Sequence, residues 1–279
     1  MKRTLLFLLL APLMVFSQKQ VKPNLNKALN FWKTGKLEDA KNMIDLATTY
    51  EKTMNDGKTW YYRGLIYATI DTTSNEQDHA LASNAFEVAI ESFAKAEQLK
   101  DKNEYFIPGD MGLPILISQQ IPYWSQNYLV KGVDLFQTDD YEGALLNFEK
   151  VQKINPKDTT SFFYGAFVAQ SLEQYDKAVE YFYKYLNNGG TSSDAYGSII
   201  NIYSSIKEDK QKALEVVREA RKKYPENEDY PKVEIGMLID LGQIDEARTG
   251  LENAIKTEPN NKLLHFYLGY VNSSLKNDK

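Results

Sequence analysis

Four alanines, Ala144, Ala178, Ala213 and Ala247, stand 34, 35 and 34 residues apart. Each is followed four residues later by a large apolar side chain, in turn Phe148, Phe182, Val217 and Leu251, and three residues after that by Val151, Tyr185, Ala220 or Ala254. Pro156, Pro225 and Pro259 close three of these stretches, and Gly189-Gly190 closes the other. A period of this length means a stack of like units in place of one globular core. Upstream of the alanines, apolar residues recur at helical spacing, as in Tyr128, Gly132 and Leu135, or Phe162, Ala166 and Ala169. Each unit therefore reads helix, polar turn, helix, with the closing proline ending the second helix. One helix pair cannot bury its own apolar face, so the next pair supplies the rest of the core. Gly132, Gly165, Gly236 and Gly269 recur with the repeat and are expected where helices approach closely.

The same pattern runs further upstream. Trp60, Gly64 and Tyr67 are followed by Ala89, Phe93 and Ala96, with Arg63 beside the glycine, and a degenerate first unit lies at Ala28, Phe31, Ala40, Ile44 and Ala47. This resembles the tetratricopeptide repeat, whose signature is Trp-x2-Leu-Gly-x2-Tyr, then Ala-x3-Phe, then Pro, over 34 residues. Arg63 departs from it at the leucine position. The resemblance covers nearly the whole chain after residue 17 and implies an all-α fold, a right-handed α-solenoid of helix-turn-helix units.

The chain divides on this reading into a signal peptide at 1–17, an N-terminal pair of repeats at 18–100, a connecting segment at 101–123, four repeats at 124–261 and a lone or capping helix at 262–279. Tyr67 to Ala89 is longer than the repeat allows, so an inserted loop is expected at 68–80. The connecting segment carries Pro108, Pro114 and Pro122, each able to start a helix, and one or two short extra helices are expected there. Its apolar residues, Ile115, Leu116, Ile121 and Trp124, are expected to pack on the repeats or to form a docking surface. The last segment supplies His265, Leu268 and Gly269 in first-helix register with no second helix after it, and reads either as a cap or as a shortened array.

The first residues fix the expected destination. Lys2 and Arg3 precede an apolar run from Leu5 to Phe16, then Ser17 and Gln18, which is the pattern of a cleaved export signal. The run is short of the ~20 residues a spanning helix needs, and Pro12 interrupts it. The net charge of −5 becomes more negative once Lys2 and Arg3 are removed, which does not favour nucleic acid or an anionic membrane. Without cysteine there is no disulfide, no thiolate metal site and no lipid-modified N-terminal Cys. An exported chain, periplasmic or secreted, with no membrane span in its mature part, is the expectation.

Little in the sequence suggests reaction chemistry. Only His79 and His265 are present, and no His-Glu-x-x-His, phosphate-cradling glycine loop or nucleophile elbow occurs. Asp71, Glu76, Asp78 and His79 cluster in sequence but lack the glycine and spacing of a calcium loop. Asp71-Thr72-Thr73 and Asp158-Thr159-Thr160 are similar to O-glycosylation sites of some Gram-negative envelope proteins, while Asp158 also stands where a helix N-cap belongs. No catalytic residue, metal ligand or cofactor is expected.

The resemblance also implies a surface. First helices of tetratricopeptide units line a concave face, and the corresponding positions here include Tyr61, Leu65, Leu129, Val133, Phe136, Phe163, Phe167, Asn201 and Lys232. Their apolar middle suits an amphipathic helix or an apolar extended segment of a protein partner. The expected function is a non-enzymatic adaptor of a Gram-negative cell envelope. A glycan- or wall-binding protein using tyrosines such as Tyr61, and an enzyme with an unrecognised carboxylate site, stand as alternatives.

Overall fold

A computed structural model describes residues 22–100, 106–108 and 114–277; the signal expected at 1–17 lies outside them. The chain forms two compact units, one up to Gln120 and one from Ile121 onward.

In the first unit, α1 (Leu25–Lys33) and α2 (Leu37–Thr49) form one pair, and α3 (Gly57–Thr72) and α5 (Ala85–Gln98) form the next, with the single turn α4 (Glu76–His79) between them. Ala28, Ala40, Ile44 and Ala47 are fully buried, as the degenerate first repeat requires. The stretch read as an inserted loop, 68–80, is only partly loop. Ala68 and Ile70 continue the buried face of α3, which keeps the helix running to Thr72. Asn75 then caps α4 by accepting hydrogen bonds from the amides of Gln77 and Asp78. A Cβ on Gly64 would stand 2.6 Å from Phe93, so the repeat glycine here is a close-packing glycine.

Arg63, the departure from the repeat signature, has its own partners. Its Nε donates to Asp45 at 3.0 Å and its Nη1 to Ser92 at 3.1 Å, while the guanidinium lies 4.8 Å from the Tyr67 ring. The Tyr67 hydroxyl donates to the same carboxylate at 2.7 Å. Where the signature has leucine, this chain has an ion pair from α3 to α2 and a hydrogen bond from α3 to α5.

The connecting segment differs from expectation. Its described residues hold not short extra helices but two antiparallel strands, β1 (Phe106–Pro108) and β2 (Pro114–Leu116), paired Phe106 to Leu116 and Pro108 to Pro114, followed by the start of a long helix. Proline cannot donate to a ladder, so it is confined to edges and ends, and a two-stranded sheet has only edge strands. Pro122 does not start a helix either; it lies inside α6 (Ile117–Gln137).

In the second unit, α6 pairs with α7 (Tyr141–Ile154), α8 (Thr159–Ser171) with α9 (Tyr175–Asn187), and α10 (Asp194–Asn201) with α11 (Lys210–Lys223). α12 (Asp229–Asp240) pairs with α13 (Ile244–Thr257), and α14 (Lys262–Asn277) packs on α13. The fold is all-α apart from the two short strands, built of helix-turn-helix units of tetratricopeptide type. All four repeat alanines are fully buried, and Asp158 caps α8 by accepting from the Ser161 amide at 2.6 Å.

The odd spacing of 35 has a structural cause. The turn between paired helices places Asp139, Glu173, Glu208 and Gly242 in left-handed backbone, and these step 34, 35 and 34 like the alanines. In three of these turns the next amide reaches back five residues, Asp140 to Leu135, Gln174 to Ala169 and Gln243 to Leu238, which is the usual left-handed helix ending. In the fourth, Asp209 reaches back six, to Tyr203. Buried Phe162 and Tyr196 are still 34 apart, so the extra residue enters after Tyr196, where α10 continues as a π-helix over Ile202–Ile206. A π turn takes up one residue more than an α turn.

Two of the four glycines expected at close contacts are there for that reason. A Cβ on Gly132 would stand 2.8 Å from Phe148, and one on Gly165 3.1 Å from Gln152. Gly236 and Gly269 meet nothing within 4 Å, so packing does not account for them.

Candidate partner-binding surface

The nine residues expected to line a concave face do not behave alike. Tyr61 is fully buried and Leu65 nearly so, because α3 is apolar around most of its circumference and is covered by α5, whose Phe93 ring lies 6.2 Å from that of Tyr61. Neither is open to a partner. Leu129, Val133 and Phe136 on α6 are half-buried and pack on the core of the second unit, with Phe136 held between the rings of Tyr141 and Tyr164. Asn201 is exposed at the end of α10.

Phe163 and Phe167 come together, with ring centroids 5.0 Å apart, but as part of the seam between α8 and α9. Phe163 lies 4.8 Å from Tyr185, and Phe167 lies 5.1 Å from Phe182. They are half-buried supports of the core, not free anchors, since a second helix bearing two aromatic rings closes over them.

Lys232, by contrast, lines a well-formed cleft. This hollow, about 650 Å³, lies among the end of α11, α12 and α13, with Ile235, Leu238 and Ala254 among its apolar lining. Part of its charged lining is paired. Glu234, 8% exposed, accepts from Arg218 Nε at 2.9 Å and Arg221 Nη1 at 2.8 Å, and Lys232 meets Glu258 at 2.8 Å. Hydrogen bonds from Lys232 and then Asn261 hold the Glu258 carboxyl below its usual range.

The cleft has a counterpart within the repeat array. Position three after the repeat alanine is Ser92, Asn147, Tyr181, Val216 and finally Gly250. Among α7, α8 and α9, two repeats earlier, the equivalent hollow is partly filled by the Tyr181 ring and measures about 400 Å³. At Gly250 there is no side chain, and Ile235 occupies the space beside it, since a Cβ there would stand 2.9 Å from that side chain. The sequence held this signal, since comparing that one position across repeats singles out Gly250, but an alignment built on conserved features passes over it.

Among the described residues, no group of three or more His, Asp or Glu is placed to hold a metal ion, and no helix is long and apolar enough to cross a membrane. No family model and no curated protein matches this sequence. Among solved structures it is similar to the protein MamA, at 20% identity over 53% of this chain and 80% of that one, with a TM-score of 0.42. It is also similar to YrrB, described as a TPR protein with an unusual peptide-binding site, at 19% identity over 54% and 77% with a TM-score of 0.42. The Naa15/Naa10 complex bound to HypK-THB contains a chain that is 18% identical over 89% of this chain and 33% of that one, with a TM-score of 0.43. The repeat assignment stands on this chain's own spacing and helix pairing.

Proposed function

We propose that this chain is a non-enzymatic interaction scaffold of the cell envelope that holds an apolar or amphipathic segment of another protein. The supporting observation is the cleft at Gly250, a concave site of about 650 Å³ with apolar and charged walls. Three carboxylates of its lining, Glu234, Glu246 and Glu258, are engaged by Arg218, Arg221 and Lys232, which suits recognition better than proton transfer. Glycan stacking on Tyr61 loses its support, because that ring is buried.

Peptides selected against the purified protein from a random displayed library test this reading. Thr249 is exposed at the cleft wall, so Thr249→Trp is expected to fill the hollow and weaken the selected peptides about tenfold or more while leaving the melting temperature unchanged. Peptides indifferent to Thr249→Trp would remove the cleft from the function. Export is proposed from the basic and apolar opening of the chain, with cleavage after Ser17. The intact mass of protein recovered from periplasm or medium should begin at Gln18, and retention of the first 17 residues on a membrane-bound form would contradict it.

A further inference from the structure

The last helix is apolar on two faces. Leu264 and Val271 are buried against α13 in a cluster with Leu251, whereas Leu263, Phe266, Tyr267 and Tyr270 stand in solvent, Phe266 at 67% and Tyr270 at 54% exposure. A helix face left to solvent is ordinarily polar, and this one is apolar.

The chain itself shows what belongs on that face. Asn261 begins α14 as Asp158 begins α8, each side chain accepting from the amide three residues on, and the two lie 103 residues apart, as do Ala144 and Ala247. At that offset Leu264 and Val271 match Ser161 and Val168, and all four are buried. Phe266, Gly269 and Tyr270 match Phe163, Ala166 and Phe167. In α8 those three face α9, with Phe182 and Tyr185 against the two phenylalanines and Ala166 fully buried. In α14 the same three positions are exposed, and space is open where a Cβ of Gly269 would point. The face thus continues the helix-stacking interface that runs from α12 through α13.

We propose that α14 docks an amphipathic helix of another protein with the chemistry of α9: a small residue, an aromatic four positions on, and a second aromatic three further. This rests on the scaffold reading above but uses a surface separate from the cleft, since no residue of α14 lines the cleft. The incoming aromatics would cover Phe266 and Tyr270, and the absence of a side chain at Gly269 allows close approach of the helices.

A hydrocarbon-stapled, fluorescently labelled peptide of residues 174–188 is the probe, titrated against the full chain by anisotropy. Saturable binding is expected, weakened about tenfold or more by Phe266→Ser or by Gly269→Leu in the protein and by Phe182→Ser in the peptide. Thr249→Trp should leave it unchanged, which separates this proposal from the cleft. Both protein variants change exposed positions, so their melting temperatures should stay at the wild-type value, and Gly269→Leu blocks approach without removing apolar surface. No saturable binding by about millimolar peptide, or binding indifferent to Phe266→Ser, would overturn the proposal. So would wild-type self-association in sedimentation that Phe266→Ser abolishes, which would assign the face to a second copy.

Discussion

Replacing Phe163 and Phe167 together with serine is expected to destabilise the second unit by about 3 to 5 kcal/mol, read as a lower urea midpoint and melting temperature. Both rings are half-buried and lie within about 5 Å of the rings of Tyr185 and Phe182, so the change removes apolar burial on both sides of the α8–α9 seam. Fully buried phenylalanines cost about 3 to 5 kcal/mol each when cut to alanine, and partial exposure lowers that figure while the introduced hydroxyls raise it. A double variant that melts like the wild type would mean that the rings lie on a surface, with α9 contributing nothing to them. The expectation from repeat register alone is the reverse, lost partner binding with the fold intact. Register alone does not show that α9 brings two aromatic rings, four and seven residues after its repeat alanine, where the other second helices bring one or none at those positions.

Alkaline unfolding should begin near the ordinary tyrosine pKa of about 10 and steepen above it. Tyr67, Tyr181 and Tyr196 are buried, and each hydroxyl donates to a carboxylate, of Asp45 at 2.7 Å, Glu149 at 3.0 Å and Glu219 at 2.8 Å. Burial first, and the adjacent carboxylate with it, raises all three well above the usual tyrosine range. The folded chain therefore keeps protons that the unfolded chain releases above pH ~10, so unfolding gains from every further rise in pH until the folded groups also ionise. Each tyrosine contributes a slope of at most ~1.4 kcal/mol per pH unit in that window. Urea midpoints measured from pH 8 to 12 should be flat at first and then fall, and Tyr181→Phe should make the fall shallower. A variant lacking one of these hydroxyls that kept the full slope would place the ionisation elsewhere.

Much of this architecture was legible in the sequence because a repeat states its packing rule several times over. Ala144, Ala178, Ala213 and Ala247 are buried because a side chain larger than a methyl group does not fit where paired helices meet, and that constraint shows as spacing. The Asp158 cap was legible for a local reason, since a short acidic side chain ahead of a helix has its own backbone amides within reach. Even the spacing of 35 was in the sequence, although only the backbone shows that a π turn in α10 absorbs the extra residue.

Exposure was decided by tertiary structure, and with it the site. Tyr61, Phe163 and Phe266 all carry an aromatic side chain on a first helix, yet the first is buried, the second half-buried and the third exposed. Their own sequence neighbourhoods do not distinguish them, because burial depends on what the following helix brings: Phe93 from α5, Phe182 and Tyr185 from α9, and no second helix over α14 among the described residues. Proline in the connecting segment is ambiguous in the same way, being compatible with a helix start or a strand end until the pairing of Ile107 with Ile115 settles it. Period and composition determined that the chain stacks helix pairs; the fit of one helix against the next determined which apolar side chains hold the stack together and which remain available to a partner.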